Sequence, residues 1–497
     1  MTNRREFLRW LTVAGVGVTA AGVLPAAARA ETGVTVVRGG TVIDGTGARP
    51  RQADVVLVGE HVAGVGHGAP VPEGAVVVDA RGRYVIPGLW DMHTHGSDLV
   101  ETFPPLHLVN GVTGIREMWG YPENRAVRDR IEQGTLLGPR MIMASSIVDG
   151  PVSLLAPPVT KVSTPDEARA AVRTAKAERA DFVKIYSYLT PDLFAAVADE
   201  SWRQGLPFGG HLPYRLTPRQ ASDLGQRVFE HLHAVYFSAS SREAELRRVL
   251  DATPFDPADP RAFFRVARAL EREAALSYDP AKARSLFAHL ARRDTWQSPT
   301  LKVNQVMTSP ADTFANDPRL RYIPDWLEQF WAQTIKNNAP VTPEEIAAYR
   351  AYFEAQLRLT KAACDAGSGI LGGTDCLNPY VLPGFGTHDE LELLVRAGLS
   401  PMAALQTMTR DAARFLGLGH RSGTLTAGKW ADLVVLDADP LADIRNSAKV
   451  HAVVTRGRLI DAARREAMLA EVEKAAQQPP DPARLAALHA RPQCACA

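Results

Sequence analysis

The sequence lacks an excess of charge of either sign. Its 497 residues include 56 lysines and arginines and 55 aspartates and glutamates, which leaves a formal net charge of +1. Proteins that bind nucleic acid through its phosphates present a basic surface, so this balance gives no reason to expect a nucleic-acid partner. The chain also shows no internal repeat of roughly 20 to 50 residues and no long low-complexity tract, so nothing points to a solenoid.

Cysteine is scarce as well. The chain has four, at Cys364, Cys376, Cys494 and Cys496. An exported protein can form disulfides, but the pairing of these four does not follow from their positions in the sequence. The oligomeric state is equally open, and a homo-oligomer is compatible with the sequence.

Long apolar runs are missing except near the N-terminus. Arg4 and Arg5 precede an apolar run from about Leu11 to Leu24, and Ala28-Arg29-Ala30 resembles a signal-peptidase site. This pattern predicts a twin-arginine signal peptide over residues 1–30 and a periplasmic or secreted mature protein. The alternative is a membrane anchor, but the run is short for a span of roughly 20 residues. We therefore expect no stable anchor after cleavage.

Two β-rich stretches lie far apart in the sequence. Residues 34–85 read as short strands with turn signals, and a matching pattern returns near the end in ADLVVLDAD and VHAVVTRGRLI. Packed together, the two stretches bury their alternating apolar faces. We predict one small β-sandwich domain made of residues 31–87 and 420–462, followed by a C-terminal tail over residues 463–497.

Between these stretches, strand-like runs alternate with amphipathic helices. The eight candidate strands are GLWDMHTH, GVTGIREM, PRMIMASS, DFVKIYS, PFGGHL, RVFEHLH, TWQSPTL and GILGGTD. Eight βα units predict an α/β fold with a (β/α)₈ TIM barrel over residues 88–419. Longer helical insertions near residues 242–293 and 304–363 are expected to lie over the mouth of the barrel.

Two histidines and a lysine occupy inward positions of predicted strands. His93 and His95 lie two residues apart, so both imidazoles share one strand face, as two ligands of one cation would. The alternative is a pair of packed core histidines. Lys184 lies on a buried apolar strand, where an amine loses its proton readily and can react with carbon dioxide to form a carbamate. The alternative is a lysine whose charged end reaches the rim.

Further polar residues follow the carboxyl ends of later strands, where barrel enzymes hold their catalytic groups. His211 ends the fifth strand, and His231 ends the sixth, with His233 as a neighbour that faces substrate or is structural. Asp375 ends the eighth strand, where a carboxylate can bind a metal and accept a proton from water. The alternatives are satisfied core histidines and an aspartate that caps the next helix.

The motifs VIPGLWDMHTH, DFVKIY, GGHL, FEHLH and GGTD together resemble the amidohydrolase superfamily. The resemblance is closest to the imidazolonepropionase-related branch, which includes Xaa-Pro dipeptidase-like and ochratoxin-hydrolysing enzymes, and it extends over residues 34–460. It also includes GLSPMAALQTMTRDAARFLGLGHRSGTLTAGKWADLVVLDADPLADI. The loops after His211 and Asp375, LPYR and CLNPY, match no particular substrate type.

The resemblance implies a centre of two divalent metal ions. It assigns His93 and His95, with Lys184 and Asp375, to the more buried ion. A carbamylated Lys184 would bridge to a second ion held by the remaining two histidines, His211 and His231. Zinc is the default, although such ligands also accept manganese, cobalt or iron.

These features predict a metal-dependent hydrolase that cleaves the amide bond of a dipeptide or an N-acyl amino acid, with Asp375 as the catalytic base. Tyr188, Tyr214 and Arg215 lie in loops near the site and are candidates, with His233, for binding the substrate and its carboxylate. One alternative is hydrolysis of a lactone or a cyclic amide, or deamination, at the same centre. The other is an exported metal-binding protein without catalysis.

Overall fold

A computed structural model describes residues 33–155 and 157–479. The predicted signal peptide, residues 1–30, lies outside the described residues, as do the tail beyond residue 479, Cys494 and Cys496. Cys364 and Cys376 are free thiols. No helix in the described part of the chain combines the length and the apolar character that crossing a membrane requires.

The strands and helices alternate through most of the chain. The strands are β1 (Val34–Val42), β2 (Arg51–Val58), β3 (His61–Gly66), β4 (Val76–Asp79), β5 (Tyr84–Pro87), β6 (Leu89–Thr94), β7 (Val112–Glu117), β8 (Arg140–Met143), β9 (Ile147–Asp149), β10 (Val159–Lys161), β11 (Val183–Ile185), β12 (Phe208–Gly210), β13 (Val228–Glu230), β14 (Trp296–Ser298), β15 (Leu433–Leu436), β16 (Val450–Thr455) and β17 (Arg458–Ile460). The helices are α1 (Phe103–Val109), α2 (Pro122–Glu132), α3 (Pro165–Ala177), α4 (Pro191–Gln204), α5 (Pro218–Asp223), α6 (Val235–Ser238), α7 (Glu243–Ala252), α8 (Pro260–Leu276), α9 (Pro280–Arg292), α10 (Leu301–Met307), α11 (Asp325–Asn338), α12 (Pro343–Asp365), α13 (Phe385–Arg396), α14 (Pro401–Thr407), α15 (Arg410–Phe415) and α16 (Ala462–Ala476). Short 3-10 helices occupy Pro318–Tyr322 and Ile444–Ala448.

The first and last strands of the described chain belong to one eight-stranded sheet. Its order is β17-β16-β15-β5-β1-β2-β3, with β4 paired to β1. The antiparallel pairing of β5 with β15 joins the two ends of the chain. Most pairs are antiparallel, but β1 pairs in parallel with β4 and β5. Alternate valines of these strands bury one face, and this burial holds the two distant stretches together.

Seven of the remaining strands, β6 to β8 and β11 to β14, form the barrel with one extended segment, and the predicted fold class is confirmed. Two parallel sheets have the orders β6-β7-β8 and β10-β9-β11-β12-β13-β14. They meet where β8 continues to Ala144, which pairs in parallel with Phe182 just before β11. The eighth strand is the extended segment 370–375, which pairs with β14 through Ile370 and Gln297. The amide of Met92 on β6 donates to Gly372 O at 3.0 Å, which closes the ring.

Helix starts are encoded locally. Thr164 accepts a hydrogen bond from the backbone of Glu167 at the start of α3, and Thr342 forms a reciprocal capping box with Glu345 at the start of α12. Each helix begins with proline, whose missing N–H costs nothing in the first turn. Polar caps of this kind fix where the connections end and the outer helices begin.

Two helical insertions interrupt the βα pattern where the sequence predicts them. Helices α7 to α9 lie between β13 and β14, and α10 to α12 lie between β14 and the eighth strand. Tyr188, which follows β11, stacks on Phe255 at 4.6 Å between ring centroids and meets Phe263 of α8 at 5.3 Å. The first insertion therefore packs over the carboxyl end of the barrel, where the candidate site lies.

Candidate metal centre

Strand β6 delivers the first two candidate ligands. His93 lies on the strand, and His95 follows its last residue, so the two side chains share the inward face. Both side chains are buried. His93 Nε2 lies 3.3 Å and His95 Nε2 3.2 Å from the same oxygen, Oδ1 of Asp375. Three potential ligand atoms thus converge at the mouth of the barrel.

Asp375 sits where the eighth strand leaves the barrel. Its φ of 63° is left-handed, which turns the chain sharply and aims the carboxylate inward. Its amide donates to His93 O at 2.7 Å. A side chain at Gly373 would place a Cβ 2.8 Å from the backbone nitrogen of His93, so only glycine permits this close approach. No well-aligned hydrogen bond from the described residues satisfies either carboxylate oxygen.

The other two histidines come from β12 and β13. His211 and His231 each follow the last residue of their strand, and their ring centroids lie 4.9 Å apart. His231 has a φ of 61°, and its ring centroid lies 4.7 Å from that of His93. Ligand atoms of His93, His231 and Asp375 all lie within 4.8 Å of one another. That spacing suits donors around a common cation.

Lys184 projects from β11 into the same space. The side chain is fully buried, and its amine has no hydrogen-bond partner among the described residues. Burial lowers the pKa of Lys184 to about 8, despite the opposing charges of Glu230 and Asp375. After burial, the charge of Lys184 is the largest cause that lowers the pKa of His211. A Cβ at Gly210 would lie 3.0 Å from the Lys184 side chain, so this glycine leaves room for it.

Two carboxylates that the sequence predictions missed lie beside the β6 histidines. His93 Nδ1 donates to Glu230 at 2.8 Å, and Glu230 also accepts from Arg116 at 2.6 Å. Burial opposes the charge of Glu230, but Arg116 and His93 lower its pKa to about 2. His95 Nδ1 lies 3.6 Å from Glu117. The sequence signal that could have identified these two carboxylates is a charged residue on an otherwise apolar strand, in FEHLH and in GVTGIREM.

Hydroxyls hold the other two histidines. Nδ1 of His211 hydrogen-bonds to Ser187 Oγ at 2.8 Å, and Nδ1 of His231 hydrogen-bonds to Thr300 Oγ1 at 2.6 Å. Thr300 has a φ of 45°, so the loop after β14 is bent to bring the hydroxyl inward. The ring of His211 also stacks on Tyr186 at 4.0 Å between centroids. These contacts fix both rings at the mouth of the barrel.

The four predicted substrate contacts divide into two pairs. Tyr188 donates its hydroxyl to Pro260 O at 2.8 Å. Arg215 donates to Leu250 O at 2.6 Å and Thr253 O at 2.5 Å, at the end of α7. These two side chains thus anchor the first insertion, and their proposed contact with substrate has no support from this geometry.

The second pair is buried, and its side-chain polar atoms lack hydrogen-bond partners among the described residues. His233 is buried with both ring nitrogens unpartnered among the described residues, and its ring centroid lies 5.2 Å from that of His231 and 5.6 Å from that of His211. The buried hydroxyl of Tyr214 likewise has no partner in the described part of the chain. His233 therefore has unpartnered nitrogens beside two candidate ligands, which a polar substrate would satisfy, whereas the ring of Tyr214 packs against Phe263 of α8 at 5.5 Å between centroids.

The donor set fits divalent cations. Nε2 of His93, both ring nitrogens of His95, both oxygens of Asp375 and the amine of Lys184 are buried without hydrogen-bond partners among the described residues. Leaving so many polar atoms unsatisfied in one place is costly unless a ligand or ion engages them. Imidazole nitrogens and a carboxylate are ligands that zinc and other divalent transition metals accept.

Comparison with known proteins relates the C-terminal part of the described chain to a family. Residues 334–460 match the model of the amidohydrolase family. Dihydroorotase from Trichlorobacter lovleyi is 41% identical over 63 residues, which are 13% of this chain and 15% of that protein. N-acyl-D-aspartate deacylase from Alcaligenes xylosoxydans xylosoxydans is 37% identical over 82 residues, 16% of each chain. The alignments thus span about a sixth of the length of these relatives.

Solved structures share the fold over nearly the whole chain. A bottromycin amidohydrolase superimposes with a TM-score of 0.70 and 24% identity, covering 89% of this chain and 91% of its own. A Xaa-Pro dipeptidase with bound methionine superimposes with a TM-score of 0.61 and 19% identity, covering 86% of this chain and all of its own. At these identities the likeness establishes the barrel with its additional domain.

Proposed function

We propose that this protein, which carries an amidohydrolase family domain, hydrolyses the amide bond of a dipeptide or an N-acyl amino acid at a centre of two divalent metal ions. The observation that carries the proposal is the convergence of His93, His231 and Asp375, with ligand atoms within 4.8 Å, beside a buried and unpartnered Lys184. A purely structural cluster would leave these polar atoms unsatisfied at a high cost in free energy.

Six side chains would hold the metals. We assign one ion to the β6 histidines with Asp375, the other to His211 and His231, and the bridge to a carbamylated Lys184. Carbamylation joins the neutral Lys184 amine to the carbon of carbon dioxide and releases one proton. Bound there, two divalent cations would polarise an amide carbonyl and lower the pKa of a shared water.

Asp375 is placed to move the proton. Its carboxylate lies at the centre of the cluster, and burial raises its pKa, but the charges of His93 and His95 lower it below the ordinary value. An ionised carboxylate there accepts a proton from the attacking water as its oxygen bonds to the carbonyl carbon. As the carbon–nitrogen bond breaks, the same proton passes to the leaving nitrogen. We assign the orientation of the substrate to His233 and Tyr214, whose side chains have polar atoms without partners among the described residues.

The names of the relatives support an amide substrate. The segment shared with the N-acyl-D-aspartate deacylase favours an acylated amino acid. The segment shared with the dihydroorotase favours a second candidate, hydrolysis of a cyclic amide at the same centre. Both candidates use the same carboxylate and metals, so the substrate panel has to separate them.

The test is hydrolysis of three sets of substrates by the metal-loaded mature protein. One set holds dipeptides and N-acyl amino acids, the second holds their C-terminal amides, and the third holds cyclic amides. Cleavage of free acids but not of their amides is the expected result and indicates that the substrate carboxylate is recognised. Cleavage of cyclic amides alone would select the second candidate. No cleavage by protein that demonstrably contains its metals would overturn both.

Export is part of the proposal. The twin-arginine pair, the short apolar run and the Ala28-Arg29-Ala30 site support delivery of the protein to the periplasm or the medium. Replacing Arg4 and Arg5 by lysine should trap the full-length precursor inside the cell, and fractionation with an antibody measures this. Unchanged processing in that variant would contradict twin-arginine export.

A further inference from the structure

A cavity of about 530 Å³ lies at the amino end of the barrel, away from the candidate metal centre. Among its lining residues, Phe182 precedes β11, and Phe208 and Val228 are the first residues of β12 and β13. The candidate histidine ligands follow the opposite, carboxyl ends of these strands. Phe415 at the end of α15 and residues 416–418 complete the wall. The cavity is thus distinct from the proposed catalytic mouth.

The cavity carries more positive than negative charge. Three arginines line it: Arg116, Arg227 and Arg414. Of the described lining residues, Asp181 alone contributes a carboxylate, and that group already accepts from the Met143 amide at 2.7 Å. The side chains that line the cavity thus include more guanidinium groups than carboxylates, and guanidinium groups bind anions.

Two of these arginines have carboxylate partners outside the lining. Arg116 donates to Glu230 at 2.6 Å. Arg227 pairs with Asp294 at 2.9 Å, and Asp294 is not part of the lining. Arg414 forms no salt bridge with any residue in the ranges 33–155 and 157–479. The guanidinium of Arg414 packs against Trp296, with its carbon 5.4 Å from the ring centroid, so an incoming anion would find there a guanidinium without a carboxylate partner among the described residues, and a half-exposed, paired one at Arg227.

The apolar walls favour a flat ligand. The guanidinium carbon of Arg116 lies 5.5 Å from the ring centroid of Phe182 and 5.3 Å from that of Phe415. The guanidinium carbon of Arg227 lies 5.9 Å from the same Phe415 ring. Planar guanidinium groups thus pack against these phenyl rings. A flat apolar ligand can pack against the same rings.

Arg116 connects the cavity to the metal centre. Its side chain is almost wholly buried; Nε donates to Met92 O, and Nη2 donates to Glu230 at 2.6 Å. The other oxygen of Glu230 accepts from His93 Nδ1 at 2.8 Å. We propose that the cavity binds a small flat organic anion, such as an aryl carboxylate, and that the metal centre senses its charge through Arg116 and Glu230.

The direction of the effect follows from the charges. An anion beside Arg116 weakens the hold of this guanidinium on Glu230, which then accepts more strongly from His93 and makes Nε2 a better metal ligand. The added negative charge also favours a cation nearby. Both effects tighten metal binding, and linkage requires the metal to tighten anion binding by the same factor.

Calorimetry on the full-length mature protein tests the binding site with benzoate as the probe. Benzamide, which is flat but neutral, and acetate, which is charged but small, are the matched ligands. We expect saturable binding of benzoate, with benzamide and acetate weaker by about tenfold or more. Absence of saturable benzoate binding, or equal binding of the three ligands, would overturn the proposal.

Variants locate the site. Arg227→Gln and Arg414→Gln should each weaken benzoate binding by about tenfold, because each removes a charged hydrogen-bond donor. Arg203→Gln, on the exposed side of α4, is the control with the same change of charge and should bind benzoate like the natural chain. Equal binding by all three variants would place benzoate elsewhere and overturn the assignment.

Competition with a chromophoric chelator measures the connection to the metal centre. The affinity for Zn²⁺ should rise about fivefold in saturating benzoate but not in benzamide. Benzoate binding with an unchanged Zn²⁺ affinity would overturn the connection. Neither measurement uses a substrate, so the inference and the proposed amide hydrolysis can fail independently.

Discussion

The two pairs of histidines at the mouth of the barrel have different neighbours at Nδ1. Glu230 accepts from Nδ1 of His93, and Glu117 lies beside Nδ1 of His95. The pair from β12 and β13 instead contacts the hydroxyls of Ser187 and Thr300. An ionised carboxylate only accepts hydrogen bonds, whereas a hydroxyl is neutral and can donate or accept.

This difference predicts two unequal metal sites. A carboxylate at Nδ1 keeps the proton on that nitrogen, so Nε2 of His93 always presents its lone pair and gains basicity. A hydroxyl leaves the tautomer of His211 or His231 undecided and adds less negative charge. We expect the ion at the β6 histidines to bind more tightly, and the ion at the other pair to exchange first.

The largest effect is expected from the carboxylate proposed as the catalytic base. Asp375→Asn keeps the shape of the side chain but cannot take up a proton from water. Turnover of the best substrate should fall by about 10²- to 10⁴-fold, while metal content stays close to normal. Steady-state kinetics and elemental analysis measure the two quantities. The control is Asp365→Asn at the exposed end of α12, and equal activity in both variants would refute the proton-transfer role of Asp375.

The next largest effect is expected from the proposed bridge between the sites. Lys184→Met retains an apolar arm of similar length but cannot form a carbamate. The variant should keep the ion at the β6 histidines and lose the other, with turnover falling accordingly. Metal analysis after gel filtration measures this against Lys176→Met, an exposed position on α3. A Lys184→Met protein with a full complement of metal would contradict the bridging role.

A smaller effect should distinguish the carboxylate partner of one histidine from the hydroxyl partner of another. In Glu230→Gln the amide can still accept from Arg116, but its NH₂ group then faces His93 Nδ1 and forces the proton onto Nε2. Zn²⁺ affinity at that site should fall by about 10- to 100-fold. Ser187→Ala removes one neutral hydrogen bond and should cost roughly 2- to 10-fold at the other site.

Chelator competition on both variants makes this comparison. Melting of the metal-free proteins serves as the control, because it reports any loss of packing around Arg116 separately from loss of metal. Equal decreases in affinity for Glu230→Gln and Ser187→Ala would show that the carboxylate and the hydroxyl hold their histidines equally well. That result would contradict the prediction that the two sites bind metal with unequal affinity.

Much of the fold was predictable because its signals are local. Each barrel strand is a short apolar run, and even segment 370–375, which joins its neighbours only through isolated pairings, is visible as GILGGTD. Helices such as α3 and α12 begin at a threonine followed by proline, a pair that the sequence shows directly. The pairing of β5 with β15 was predictable only because both stretches alternate in the same way.

The partners of the site were less predictable because they depend on closure of the barrel. Glu230 is adjacent to His231 in the sequence, yet it bonds His93, which lies 137 residues away. Arg215 looked like a free cation for a substrate carboxylate, but the fold commits it to the carbonyl groups that end α7. A sequence shows that a charged residue lies near the site, but not which neighbour takes its hydrogen bonds.

The smallest effect concerns the pH at which the bridge assembles. Burial lowers the pKa of Lys184 to about 8, so in metal-free protein its amine is mainly neutral above that pH and mainly protonated below it. Only the neutral amine attacks carbon dioxide, so at constant dissolved carbon dioxide the rate of carbamylation should fall about tenfold per pH unit below 8 and level off above it. The folded chain binds fewer protons at this site than the unfolded chain between pH 8 and the ordinary lysine pKa, so over that window this group makes folding more favourable as pH rises.

The carbamate signal from ¹³C-labelled carbon dioxide, taken as the difference between the natural chain and Lys184→Met, measures the rate. A rate that keeps rising tenfold per unit up to pH 10 would show that Lys184 has an ordinary pKa. Carbamylation at pH 8, on which the second metal site depends, would then be no faster than at an exposed lysine.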